Sequence, residues 1–170
     1  VGSGTGPGTN LTASGSAGID AGSGNVTIRA RTVDWRVSNT AYGGIVAVEV
    51  TTTGDLKILP DSDTAGFGQN MDNRWFDLTR ATPKSYQFGN SFNTYEFTVG
   101  SVLSTSGGPI TLYAGNINLG VGSILNATGD INLNVAAGSW LNTLANAYPE
   151  LNASNGGAIT INADNFSWAG

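Results

Sequence analysis

The chain has 170 residues and a net charge of −5, and only 11% of the residues are charged. Seven basic residues against twelve acidic ones provide no basic footprint for nucleic acid or for an anionic membrane surface. The chain has no cysteine and no histidine, which excludes disulfides, thiolate metal sites, the commonest general base and the commonest metal ligand.

Residues 1–10, "VGSGTGPGTN", read as a flexible tail. Their glycines are not a phosphate loop, because neither a helix nor a Lys-Ser/Thr pair follows. The missing initial Met and the lack of a visible signal peptide suggest a mature product, a processed piece or an excised fragment. The first patterned stretch is "NVTIRARTVDW" (25–35), in which Val26, Ile28 and Ala30 alternate with polar residues. A period of two is the strand signal and puts each apolar set on one face. "IVAVEV" (45–50) and "DLKIL" (55–59) continue it. The rhythm stops over 60–96 and resumes in "PITLYAGNINL" (109–119), "DINLNVAAGSW" (130–140) and "AITINADNFSW" (158–168). Glycines at 107–108, 120, 122 and 129 punctuate these strands as turns. No apolar run is long enough for a transmembrane helix, so no membrane insertion is expected.

The resumed stretches repeat one another. Val26, Ile28, Ala30, Val33 and Trp35 align without a gap with Ile159, Ile161, Ala163, Phe166 and Trp168, and Ile110, Leu112, Ala114, Ile117 and Leu119 fit the same frame. Val26 to Val46 is 20 residues, Ile110 to Ile131 is 21 and Ile131 to Ile159 is 28, with 141–155 as an extra loop. Steps of this size with short strands, glycine turns and no helical segment indicate an all-β parallel β-helix of about five or six coils. Successive coils would stack ~4.8 Å apart with like residues in register. Such stacking disfavours charged outward positions and favours Asn, Thr and Ser, which form hydrogen-bonded ladders. In this register Arg29 would lie beside Glu49 on the next coil. An antiparallel sandwich, which also has many short strands, is the alternative.

Residues 60–96 hold seven of the fifteen aromatic residues and three of the seven basic ones. They read as an aromatic-rich side excursion from the β-helix. Its aromatics either pack the excursion against the flank or present a surface suited to sugar or protein recognition. Arg74, Trp75, Tyr86 and Phe88 are the candidate partner-binding residues. Asp61 and Asp63, with Asp72 and Asp77 nearby, are weak candidates for a metal site or for paired-carboxylate chemistry on a polysaccharide. Asp-Ser-Asp after Pro60 is also ordinary turn chemistry. No cofactor is expected. Five formal N-glycosylation sequons, at Asn10, Asn25, Asn126, Asn152 and Asn165, are of a number that chance supplies in a chain so rich in Asn, Ser and Thr.

The pattern Gly-x-Ile-x-Leu-x-Ala-Gly-x-Ile-x-Leu at 108–119, followed by Ser-Ile-Leu-Asn-Ala at 123–127 and Gly-Asp-Ile-x-Leu at 129–133, resembles the haemagglutinin-type repeats of filamentous-haemagglutinin-like exoproteins exported by two-partner secretion. The likeness is good over 107–139, weaker at 18–35 and 156–168, and absent over about 60–96. The resemblance implies a right-handed β-helix. It also implies an extracellular or cell-surface location on a Gram-negative bacterium and a role in attachment, aggregation or biofilm formation. The family's Asn-Pro-Asn motifs are not found here, so the resemblance points to the shaft rather than the export signal.

A solenoid needs covered ends. The chain is therefore expected either to be capped by neighbouring coils of a longer polypeptide or to stack head-to-tail on copies of itself, with Trp140 and Trp168 as core residues or end-contact anchors. The sequence thus favours a non-catalytic structural and adhesive rod meeting surface glycans or cell-surface proteins. The alternatives are a self-assembling filament or sheath subunit and, from another class, a polysaccharide-active β-helix enzyme.

Overall fold

The computed structural model describes residues 10–12, 18–34, 37–39, 44–46, 48–72, 76–77, 83–99, 102–105, 108–143 and 148–168. Among them every regular element is a strand. The first half holds β1 (Asn10–Thr12), β2 (Gly18–Asp20), β3 (Val26–Arg29), β4 (Thr32–Asp34), β5 (Val37–Asn39), β6 (Gly44–Val46), β7 (Val48–Thr51), β8 (Asp55–Leu59), β9 (Met71–Asp72), β10 (Phe76–Asp77) and β11 (Ser85–Phe88). There follow β12 (Phe97–Val99), β13 (Val102–Thr105), β14 (Ile110–Ala114), β15 (Ile117–Leu119), β16 (Ile124–Thr128), β17 (Ile131–Val135), β18 (Trp140–Thr143), β19 (Glu150–Ser154), β20 (Ile159–Asn162) and β21 (Asn165–Ser167).

Three parallel sheets organise these strands. The first runs β3-β8-β11-β14-β17-β20, the second β9-β12-β15-β18-β21, and the third β13-β16-β19. From Val102 onward the chain visits the third, first and second sheets in rotation, and each return lands beside the strand of the previous visit. The arrangement is consistent with a β-solenoid-like class. Parallel neighbours need a long connection, and here the connection consists of strands of the other sheets rather than a helix. Smaller parallel groups, β2-β7-β10 and β1-β4, lie nearer the N-terminus, and β5-β6 is antiparallel. An antiparallel sandwich is excluded by this pairing.

In the first sheet one inward column is Val26, Leu56, Tyr86, Ile110, Ile131 and Ile159, and the other is Ile28, Ile58, Phe88, Leu112, Leu133 and Ile161. The steps along the first column are 30, 30, 24, 21 and 28 residues. The 21- and 28-residue steps match the repeats read from the sequence. The first two do not: Val26 pairs with Leu56 rather than Val46, and "IVAVEV" divides between β6 and β7. The expected Arg29–Glu49 neighbours are corrected accordingly. Arg29 lies beside Leu59, and Glu49 lies beside Gly18 and Asp77.

The described strands within 60–96 belong to the parallel sheets and not to a side excursion. β11 is a central strand of the first sheet, between β8 and β14. The rings of Phe67, Tyr86, Phe88 and Phe97 are buried, with Phe88 at 5.4 Å from Phe67 and edge-on to Phe97 at 4.6 Å. Aromatics replace Ile and Leu here, and each buried side chain of this kind contributes about 1.5–3 kcal/mol. Residues 1–9 of the expected tail lie outside the described residues, and Asn10 belongs to β1.

Stacking also constrains the turns. A Cβ on Gly108 would overlap the Lys84 carbonyl oxygen of the turn it lies on, and one on Gly115 would overlap that of Thr94. The Gly108→Ala variant should therefore lose ~1–3 kcal/mol of stability. Urea unfolding measures the loss, and an unchanged midpoint would contradict this turn-on-turn contact.

Candidate functional site

The outward positions of the stack carry polar ladders. On the first sheet one outward column reads Thr27, Lys57, Gln87, Thr111, Asn132 and Thr160, and Asn134 lies beside Asn162. The Asn162 amide donates to the Asn134 carbonyl oxygen at 2.8 Å. Asn152 donates to Asn126 at 2.9 Å on the third sheet, and Asn142 to Asn118 at 3.2 Å on the second. Each of the three faces thus has an amide-to-amide bond between adjacent strands. A carboxamide carries both donor and acceptor, so it satisfies like neighbours above and below, which a carboxylate or an ammonium cannot do. Asn126 and Asn152 are also two of the formal sequons, stacked in register.

A second set of side chains ties the turns together. Asn25 accepts from the Asp55 backbone N–H at 2.8 Å, Asn70 from Glu96 at 3.1 Å, Asn116 from Trp140 at 2.9 Å, and Asp130 from Ala158 at 2.9 Å. Buried Asn93 accepts from the Phe67 N–H and donates to the Tyr113 carbonyl at 3.0 Å, so it links three segments. The ties at Asn25, Asn70, Asn116 and Asp130 all come from an Asn or Asp directly before a strand. That signal is local and lies in the sequence itself.

The residues selected for partner binding come apart in the structure. Tyr86 and Phe88 are buried in the core and present no ring to a partner, which corrects that assignment. The two face inward because β11 alternates in phase with Leu56 and Ile58 of β8. Arg74 and Trp75 lie outside the described residues. From the same segment, Phe92 and Tyr95 are exposed.

Asp63 forms an ion pair with Arg29 at 2.6 Å, joining the turn after β8 to β3. Asp61 is half-buried and has a partner of its own. The strands of Asp72 and Asp77, β9 and β10, belong to different sheets. Among the described residues no group of three or more acidic side chains is placed to hold a metal ion. No described helix is long and apolar enough to cross a membrane.

Trp140, at an outward position of the penultimate strand of the second sheet, and Trp168, just after its last strand, are both partly exposed. The Trp140 register partner is Asn165, and its N–H is held by Asn116. Trp168 stacks on Phe166 with ring centroids 5.8 Å apart. Phe166 continues the inward column of Phe97, Ile117 and Leu141, so these rings prolong the core to the last strands.

Comparisons with family models, with curated proteins and with solved structures return no match.

One group inside the core is chemically unusual. The Tyr86 hydroxyl is fully buried with no hydrogen-bond partner, and burial pushes its ionisation far above the ordinary tyrosine range. The unfolded phenol loses its proton above pH ~10, whereas the buried one keeps it. Above that pH the unfolded chain binds fewer protons than the folded one. Stability therefore falls with rising pH, by up to ~1.4 kcal/mol per pH unit from this residue, and below pH ~10 the group contributes no slope. Tyr86→Phe should remove this part of the alkaline loss and leave neutral-pH stability unchanged or raised by ~1 kcal/mol. Urea unfolding at neutral pH and at pH ~11 compares the two proteins. A variant with the same alkaline loss as the parent would place the phenol in contact with water.

Proposed function

We propose that the three sheets close into a right-handed parallel β-helix and that the chain is a non-catalytic extracellular structural element of a bacterial surface exoprotein, serving attachment, aggregation or matrix formation. The observation that carries the reading is the in-register parallel pairing in all three sheets, with an amide-to-amide bond between adjacent strands of each. The rotation of the chain through the three sheets supports closure. The handedness, the cell-surface location and the adhesive role rest on the resemblance of 107–139 to haemagglutinin-type repeats.

Magnitude sharpens the reading. Six strands stacked at ~4.8 Å span only about 24 Å between the outermost two, so reach comes from repetition of coils, within a longer polypeptide or across copies. The unit supplies stiffness, and its charge-poor amide and hydroxyl faces supply hydrogen-bonding surfaces for glycans or cell-surface proteins. Exposed Phe92 and Tyr95, at the turn between the first and second sheets, add aromatic surface beside these faces.

Beads coated with the chain should adhere saturably to bacterial or host cell surfaces, and Asn132→Asp with Asn162→Asp should reduce retention several-fold by removing amide donors from one face and charging it. Retention no higher than that of albumin-coated beads would overturn the adhesive reading.

A further inference from the structure

One turn in the middle of the stack presents aromatic rings to solvent. Residues 89–96, "GNSFNTYE", join β11 to β12, and both of these strands have a neighbour on either side. Phe92 is 52% and Tyr95 42% exposed there, while Asn93 between them is buried. The exposure follows from the length of the turn. On the next return the connection from β14 to β15 is only Gly115 and Asn116. That short turn lies on the long one: the Gly115 N–H donates to the Tyr95 carbonyl at 2.7 Å, and a Cβ on Gly115 would overlap the Thr94 carbonyl oxygen. A connection of two residues does not span 89–96, so the Phe92 and Tyr95 rings stay uncovered although the stack continues past them.

The turn is also held in place. Asn90 donates to the Ser62 and Ala65 carbonyls at 3.3 and 3.2 Å and accepts from the Phe92 N–H at 3.0 Å. Asn93 donates to the Tyr113 carbonyl at 3.0 Å and accepts from the N–H groups of Phe67 at 3.2 Å and Tyr95 at 3.4 Å. These bonds fasten it to the turn before it and to the strand after it. The rings are therefore carried on a fixed backbone, and a ligand that meets them has little ordering cost to offset.

Area and charge select the ligand. An aromatic side chain offers roughly 150–250 Å², so two half-exposed rings together offer about the surface of one. A stable protein interface takes about 800 Å² from each partner, far more than this pair supplies. Ser91 and Thr94, in the same turn, add exposed hydroxyls. Residues 85–170 hold four acidic residues and no basic one, which disfavours an anionic ligand. A neutral sugar ring matches all three features. One face of a pyranose is lined by C–H groups, which pack on the electron-rich face of an aromatic ring. Its rim carries hydroxyls, which donate to and accept from Ser and Thr.

We infer that the 89–96 turn is a binding site for neutral pyranose sugars, with Phe92 and Tyr95 as stacking platforms and Ser91 and Thr94 as hydrogen-bonding partners. This gives the binding reading above a place and a ligand class, and rests on that reading.

The test is affinity electrophoresis of the full chain in gels that contain dextran, laminarin, hydroxyethylcellulose or galactomannan. The acidic chain migrates by itself, and binding to the polysaccharide slows it. At least one of the four should slow the parent. Phe92→Ala and Tyr95→Ala should each weaken the retardation about tenfold, and the pair should abolish it. Tyr95→Phe should keep it, because the ring makes the contact. Both side chains are half in solvent, so the alanine variants should unfold at the parent's urea midpoint. A parent that none of the four slows overturns the inference, as does one slowed equally after both rings are removed. Adhesion of coated beads separates this from failure of the adhesive reading. Beads that adhere to cells while no gel slows the chain leave the adhesive reading standing and the sugar site overturned. Beads that do not adhere while a gel slows the parent, and not the variant lacking both rings, overturn the adhesive reading alone.

Discussion

Parallel, in-register pairing of strands brought side by side by successive returns of the chain is the constraint on which the rest depends. Once Ile110 lies beside Ile131 and Thr111 beside Asn132, every residue has a fixed neighbour above and below. An inward position must fill the same slice of core as its neighbours. An outward one must tolerate a near copy of itself ~4.8 Å away. The low charge, the many asparagines and the glycine-rich turns are three responses to that single geometry. Carboxamides bond to one another along each face, as Asn162 does to Asn134. Glycine lets one turn lie on another, as Gly108 does on the Lys84 carbonyl.

Charged groups persist where the geometry gives them something to hold. Asp130 binds the Ala158 N–H, Asp55 accepts from the Ser85 hydroxyl, and Asp63 pairs with Arg29. These acids are fasteners between strands and turns, and they account for Asp63, one of the carboxylates with apparent site chemistry. A surface pair such as Arg29–Asp63 contributes little on its own, ~0–1 kcal/mol. The apolar columns carry the stability.

The aromatic segment shows how a regular fold conceals itself. Tyr86 and Phe88 occupy the columns held elsewhere by Ile110, Ile131, Leu112 and Leu133. Larger rings do the same filling, and Phe88 lies tilted against Phe67 and edge-on to Phe97. The substitution leaves the buried Tyr86 hydroxyl without a partner, a cost that the ring's burial must exceed.

By itself the sequence determined what alternation and local spacing dictate. It specified an all-β chain, the inward faces of β14, β17 and β20, the polar character of their outward faces and the 21-residue return from Ile110 to Ile131. It did so because strand side chains alternate with a period of two whatever surrounds them. Only the tertiary structure decided that Val26 meets Leu56 and not Val46, and that residues 85–88 form a central strand. The physical reason is that register follows from the length of the path between strands. That length includes turns and short strands whose sequences lack the alternation, so two returns of 30 residues are hidden beside one of 21. Whether a ring such as Tyr86 or Trp168 is buried depends on which strand, if any, lies against it, and no local pattern records that neighbour.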